Sequence, residues 1–231
     1  MVAKQYLLHT RHRYVCYQYL STCFYPPRKD VFLKDELVDH LAQSLGQVCS
    51  QAEAFSRQMG EHLLLYSTED LSVEYAQLFV GPFELKAPPY GSVYLDGGRR
   101  TMGDSTIEVQ KIYKESGLSL ADDFNELPDH MAVELEFMHF LSFQEHRLIE
   151  CGETENALQY LKKEYAFLAN FLGSWVSPFC NRIRQNTDNK FYQLLSTIVD
   201  AFIACDLRHM ESQLATDPVV NSYDAKLPAK Q

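Results

Sequence analysis

The chain has 231 residues, 46% apolar and 13% aromatic, enough to bury a real core as one large or two small domains. No apolar run approaches the roughly 20 residues that span a bilayer, and the start, MVAKQYLLHTRHRYV, lacks the apolar stretch and small-residue cleavage site of a secretory signal, so the expectation is a cytoplasmic protein without membrane insertion. A formal net charge of −10 argues against nucleic acid and anionic membrane surfaces and is compatible with a basic partner. No two of the six cysteines have C-x-x-C spacing, which removes zinc ribbons and thioredoxin-like motifs and leaves small buried apolar residues as the reading.

In chain order, the first helix covers 4–24 and stops at Pro26-Pro27. A second covers 31–46, with Val31, Leu37, Val38, Leu41 and Leu45 at helical spacing, and a third covers 50–66. A fourth starts after Thr68, a good cap, and runs to Phe79. The chain then breaks at Gly81-Pro82 into a long irregular loop, about 81–101. Ser105-Thr106-Ile107-Glu108 has capping-box spacing and opens a short helix ending near Gly117. A polar connection at 118–128 follows. The next helix, 128–150, places Pro128 in its first turn and is apolar on most sides through Phe143, which makes it central. Helices at 154–175 and 188–212, joined by a segment containing Pro178, complete the pattern, and the tail after Thr216 is polar. No period-two alternation appears. The fold class is all-α, a two-part helical bundle with an N-terminal part at 1–117 and a C-terminal part at 118–231 hinged near 118–128. Domain exchange through that hinge would make a dimer.

Two segments stand out. The loop from Tyr75 to Asp96 is apolar and aromatic (Phe79, Phe83, Leu85, Pro88, Pro89, Tyr90, Val93, Tyr94, Leu95), where surface loops are normally polar. It either packs onto its own domain, clamping the two helical parts, or holds apolar surface for a partner. The second segment, 118–136, carries Asp122, Asp123, Glu126, Asp129, Glu134 and Glu136 with no Lys or Arg. Capping and dipole complementation account for Glu126 and Asp129. Glu134 and Glu136, inside an apolar helix, need a donor or a raised pKa, and an arginine elsewhere in the chain is the simplest donor. His130 beside Asp129 reads equally as a structural hydrogen bond.

The alternative reading is a di-iron carboxylate bundle enzyme. Glu136 and His139 have Glu-x-x-His spacing, and Asp206 and His209 give an Asp version, but two further ligands are not identifiable. His9 and His12 lie three apart without a further ligand. Gly97-Gly98-Arg99-Arg100 has the wrong spacing for a phosphate loop, and there is no G-x-S-x-G elbow.

LFVGPFELKAPPYGSVYLD (78–96), followed about thirty positions later by ELPDHMAVELEFM (126–138), resembles the TorD/DmsD/NarJ family of redox-enzyme maturation chaperones. The resemblance implies an all-helical, non-enzymatic cytoplasmic protein of two helical parts with no cofactor of its own. Its partner would be the catalytic subunit of a molybdopterin oxidoreductase, bound through an N-terminal leader peptide and held from twin-arginine export until cofactor insertion is complete. The family's Glu-Pro-x-Asp-His hinge motif falls on Glu126, Pro128 (shifted by one place), Asp129 and His130. The leader-binding surface carries over onto Leu78, Phe79, Pro88, Pro89, Tyr90, Gly91, Ser92 and Tyr94. Asp122, Glu126 and Asp129 are the carboxylates offered to leader arginines. Tyr90 stands where many DmsD-like members have Trp, and Glu-Leu-Pro-Asp-His with Glu-Leu-Glu-Phe behind it leans toward the NarJ-like branch.

Overall fold

The computed structural model describes residues 2–34, 36–81, 85–97, 101–119 and 126–216. The sequence expectations for Phe83, Arg99, Arg100, Asp122, Asp123 and the tail beyond Thr216 lie outside those residues, as does most of the 118–128 connection. Eleven α-helices occur among the described residues: α1 (Val2–Thr22), α2 (Lys29–Lys34), α3 (Leu37–Val48), α4 (Ser50–Leu65), α5 (Thr68–Tyr75), α6 (Ser92–Leu95), α7 (Asp104–Glu115), α8 (Met131–Glu150), α9 (Thr154–Asn170), α10 (Leu172–Asn186) and α11 (Lys190–Thr216). There is no strand among them, and no helix long and apolar enough to cross a membrane.

Local chemistry sets the boundaries. At α5 the cap is Ser67 rather than Thr68: Ser67 Oγ accepts from the Asp70 amide at 3.0 Å, and Asp70 Oδ2 accepts from the Ser67 amide at 2.9 Å, a reciprocal capping box. The box expected at Ser105 does not form. Helix α7 begins one residue earlier, and Asp96 caps it from outside by accepting from the Ser105 amide and, at 2.9 Å, from its hydroxyl. Pro128 is not in the first turn of α8; it lies in the preceding turn, and His130 is the cap. Pro178 is inside α10 rather than between helices. It removes the donor for the Ser174 carbonyl, and both residues are exposed, so water can take that carbonyl.

Packing joins both parts of the chain. Helix α1 lies along α8 and α3, α4 along α11, and α8 along α9, with α10 against α11. One buried cluster runs from Cys16, Tyr17 and Leu20 through Leu41, Leu78, Phe79 and Met138 to Trp175, Phe179 and Phe202. Helix α8 is its spine, as the apolar run predicts.

At the centre sits a fully buried cation. Arg13 on α1 donates to Glu145 on α8, Glu164 on α9 and Asp206 on α11, each at 2.6 Å. Tyr6 and Tyr17 hydroxyls donate to Glu145 and Asp206 at 2.7 Å. One guanidinium cannot balance three carboxylates. Burial pushes Glu164 well above the carboxylate range. Burial also raises Asp206, but the Arg13 charge and the bonds from Arg13 and Tyr17 outweigh it and hold Asp206 low.

Candidate functional site

The aromatic loop and the acidic hinge meet as one unit. After α5 the chain widens into a π-helical turn (Ala76–Val80), which ends at Gly81 with φ 54°, a left-handed conformation that glycine adopts without strain. Ala87 returns to the turn by donating to the Leu78 carbonyl at 2.9 Å. The next residues run antiparallel to the hinge and form a single bridge, Tyr90 with His130. The Gly91 amide donates to the Asp129 carbonyl, and the Met131 amide to the Pro89 carbonyl, both at 2.8 Å. A partner far along the chain thus satisfies a proline-rich segment that could join neither helix nor sheet.

Side chains reinforce the bridge. Asp129 is fully buried, and its Oδ2 accepts from the Ser92 amide at 2.8 Å. The Tyr90 hydroxyl donates to Glu126 Oε2 at 2.9 Å and the Tyr94 hydroxyl to the Pro88 carbonyl at 2.9 Å. Tyr113 on α7 donates to the Pro128 carbonyl at 2.9 Å. The His130 ring packs between Tyr25 and the edge of Tyr90. Burial lowers its pKa to about 4, so it is neutral at pH 7. Its Nδ1 accepts from the Ala132 amide at 3.2 Å, which leaves the proton on Nε2, facing Glu126 at 4.0 Å. That approach joins a neutral imidazole to a carboxylate and is not an ion pair.

Beneath the loop, Glu134 is fully buried on α8, and its Oε2 accepts from Trp175 Nε1 at 3.0 Å. The donor is an indole rather than the expected arginine, because Arg13 is taken up by Glu145, Glu164 and Asp206. Burial, with the nearby Asp129 charge also raising it, pushes the Glu134 carboxyl well above its ordinary value despite the indole bond. Glu136 faces outward and accepts from the Tyr25 hydroxyl. Gly91 lies so close to this pair that a Cβ there would stand 2.9 Å from Trp175 Nε1 and 3.2 Å from Glu134 Oε1. Tyr94 stacks on Trp175 at 5.5 Å and lies under Arg182 at 5.2 Å. Trp175, Tyr113, Tyr25 and Arg182 were not singled out from the sequence. Trp175, the chain's one tryptophan, was the available signal.

The predicted residues therefore divide by burial. Leu78, Phe79, Pro88, Pro89, Gly91, Ser92, Pro128, Asp129 and His130 are buried. Phe79 is a core residue, in contact with Phe24, Tyr75, Phe179 and Tyr192. Tyr90, Tyr94 and Glu126 are half-buried and reach the surface. Asp122 lies outside the described residues. The buried members set the shape of the site; the half-buried ones can touch a ligand. Ser92 Oγ, Asp129 Oδ1 and Glu134 Oε1 are buried beneath them without a hydrogen-bond partner among the described residues.

The ligand pairs of the di-iron alternative do not converge. His139 Nδ1 bonds the Tyr14 carbonyl at 2.9 Å, His209 lies against His9 at 4.0 Å, and Asp206 is held by Arg13. A guanidinium already supplies the cation beside Asp206. Among the described residues, no group of three or more His, Cys, Asp or Glu could hold a metal ion.

A family model described as the nitrate reductase delta subunit matches residues 39–181, a span that contains both loop and hinge. The chain belongs to this family. Among its relatives, chaperone protein TorD of Shewanella pealeana is 25% identical over 215 residues, covering 87% of this chain and 91% of that one. The Tat proofreading chaperone DmsD of Salmonella typhimurium is 30% identical over 139 residues, 60% of this chain and 61% of that protein. A crystal structure of a redox enzyme maturation protein from Archaeoglobus fulgidus shares the fold, with a TM-score of 0.50 at 18% identity over 81% of this chain and 93% of that one. The chain is a member of the TorD/DmsD/NarJ family of redox-enzyme maturation chaperones. Within this family's matched span lie Glu134 and Trp175, whereas Arg13 and Asp206 fall outside it.

Proposed function

We propose that this chaperone binds, in the cytoplasm, the N-terminal leader region of the catalytic subunit of a molybdopterin oxidoreductase. It holds that region until cofactor insertion, before export or assembly. The observation that carries this reading is the Tyr90–His130 bridge, which brings half-buried tyrosines and the Glu126 carboxylate to one surface. A leader with a basic start and an apolar core meets a carboxylate and aromatic faces there. The chain's net charge of −10 favours encounter with a basic segment. Asp129, His130 and Gly91 act as positioning residues, since they are buried and hold the loop on the hinge.

Titration calorimetry with synthetic leader peptides of redox subunits tests this. Tyr90→Ala is expected to weaken binding roughly tenfold or more, the effect of losing an aromatic anchor. Glu126→Gln is expected to weaken it less and to reduce its dependence on salt. Thermal unfolding of each variant separates lost contact from lost fold. If no leader binds the wild type, or if both variants bind as the wild type does, the assignment is wrong.

A further inference from the structure

Cys49 and Cys205 meet at the seam between the α3–α4 corner and α11. Cys49 is at once the C-cap of α3 and the N-cap of α4, and Cys205 lies within α11. Their sulfurs are 2.6 Å apart across 156 positions of sequence. That is only about half an ångström beyond a disulfide bond of about 2.05 Å, and closer than unbonded heavy atoms normally rest, at about 3.5–4.0 Å. The packing of α4 on α11 holds the two positions together, so bond formation asks for small side-chain rotations and no rearrangement of helices.

The two thiols have different surroundings. Cys205 is half-buried, and its sulfur accepts from Arg208 Nη2 at 3.4 Å. Cys49 is 4% exposed, and burial, together with its bond to Cys205, pushes its thiol up to about 12. A soluble oxidant thus reaches Cys205 first, and Cys49 keeps its proton until then.

We propose that Cys49 and Cys205 are a reversible redox pair, closed by exchange with a small-molecule disulfide of the glutathione type. The Cys205 thiolate attacks one sulfur of the oxidant, forms a mixed disulfide and expels one thiolate. That thiolate takes up the Cys49 proton, and the Cys49 sulfur attacks Cys205, breaking the mixed disulfide. The second thiolate leaves and takes the proton that Cys205 had released to solvent. The protein gives up two hydrogens and two electrons, and the oxidant departs as two thiols. The closed bond ties the α3–α4 corner to α11 and encloses the loop and the hinge within a single covalent ring. Of the remaining cysteines, Cys16, Cys23 and Cys180 are buried and Cys151 is exposed; Cys16, close enough to Cys49 to feel its charge, is the competing partner.

The test equilibrates the full chain in buffers of varied reduced-to-oxidised glutathione ratio, quenches with an alkylating agent, and maps cysteine peptides by mass spectrometry. The expected result is one reductant-sensitive cross-link between the Cys49 and Cys205 peptides, with two hydrogens lost, while exposed Cys151 takes up glutathione as a control. Cys49→Ser should trap Cys205 as a stable glutathione adduct, because the resolving sulfur is gone, and Cys205→Ser should leave Cys49 unmodified. If Cys49→Ser does not fold, a higher unfolding temperature for the oxidised wild type, absent from the better-exposed Cys205→Ser variant, reports the same bond. The proposal is overturned if Cys49 pairs with Cys16, if wild-type Cys205 keeps glutathione while Cys49 stays free, or if both remain thiols while Cys151 is modified.

Discussion

Replacing Arg13 by Met tests the buried cluster most directly. The substitution keeps much of the side-chain volume but removes three N–H···O contacts of 2.6 Å and the one positive charge among Glu145, Glu164 and Asp206. Burial raises both Glu164 and Glu145, so the charge left uncompensated is chiefly that of Asp206, to which Tyr17 still donates. Breaking a buried pair by removing one partner costs about 3–5 kcal/mol. For a chain of this size, with about 2–4 °C lost per kcal/mol, the melting temperature should fall by about 6–20 °C. Urea unfolding followed through Trp175, fully buried in the native fold, gives the free energy directly, with the slope against urea unchanged. The deficit should shrink on acidification. The folded pKa of Asp206 is depressed, so its contribution is present above the unfolded value of about 3.9 and is lost as pH falls through the folded pKa. In the variant, burial raises Asp206 with the Tyr17 bond but no longer Arg13 against it, and it takes up its proton at a higher pH. A deficit below about 1 kcal/mol at pH 7, or one that grows between pH 7 and pH 4.5, would refute this account of the cluster.

Glu164→Gln should behave in the opposite sense. The folded pKa of Glu164 is raised, so its stabilising contribution is complete below about 4.3 and is lost as pH rises through the folded value; a permanently neutral amide escapes that loss, and urea midpoints from pH 5 to 9 should trace a flatter profile, with the variant at least as stable as the wild type at the alkaline end. Trp175→Phe removes the indole donor to Glu134 and should cost about 1–3 kcal/mol by circular dichroism melts; adding Glu134→Gln should give less than the sum of the two single losses, since the residues share one bond. Gly91→Ala drives a methyl against Trp175 and Glu134 and should destabilise by about 1–3 kcal/mol, with weaker leader binding in the same preparation; an unchanged melt would mean that the loop does not sit against α10 as described.

The helical class, the spine role of α8 and the two segments that form the candidate site are legible in the residues alone. Helical spacing of apolar residues and proline–glycine punctuation are local signals, and they placed most helices to within a few residues. Where side-chain caps decide a boundary, as at Ser67, Asp96 and His130, the local pattern misled, because the capping group is chosen by geometry as well as by residue type. Which carboxylate meets which donor depends on how the helices pack. Arg13 could have served Glu134 on composition alone. It goes instead to three acids on α8, α9 and α11, because α1 packs where those helices converge, and Glu134 is left to an indole brought in by α10. The same applies to the loop: its apolar character was legible, but burial of Phe79 and partial exposure of Tyr90 and Tyr94 follow from a bridge between residues 40 positions apart. Contacts between residues so far apart leave no period in the sequence, since they are set by how helices stack and not by the chain between them.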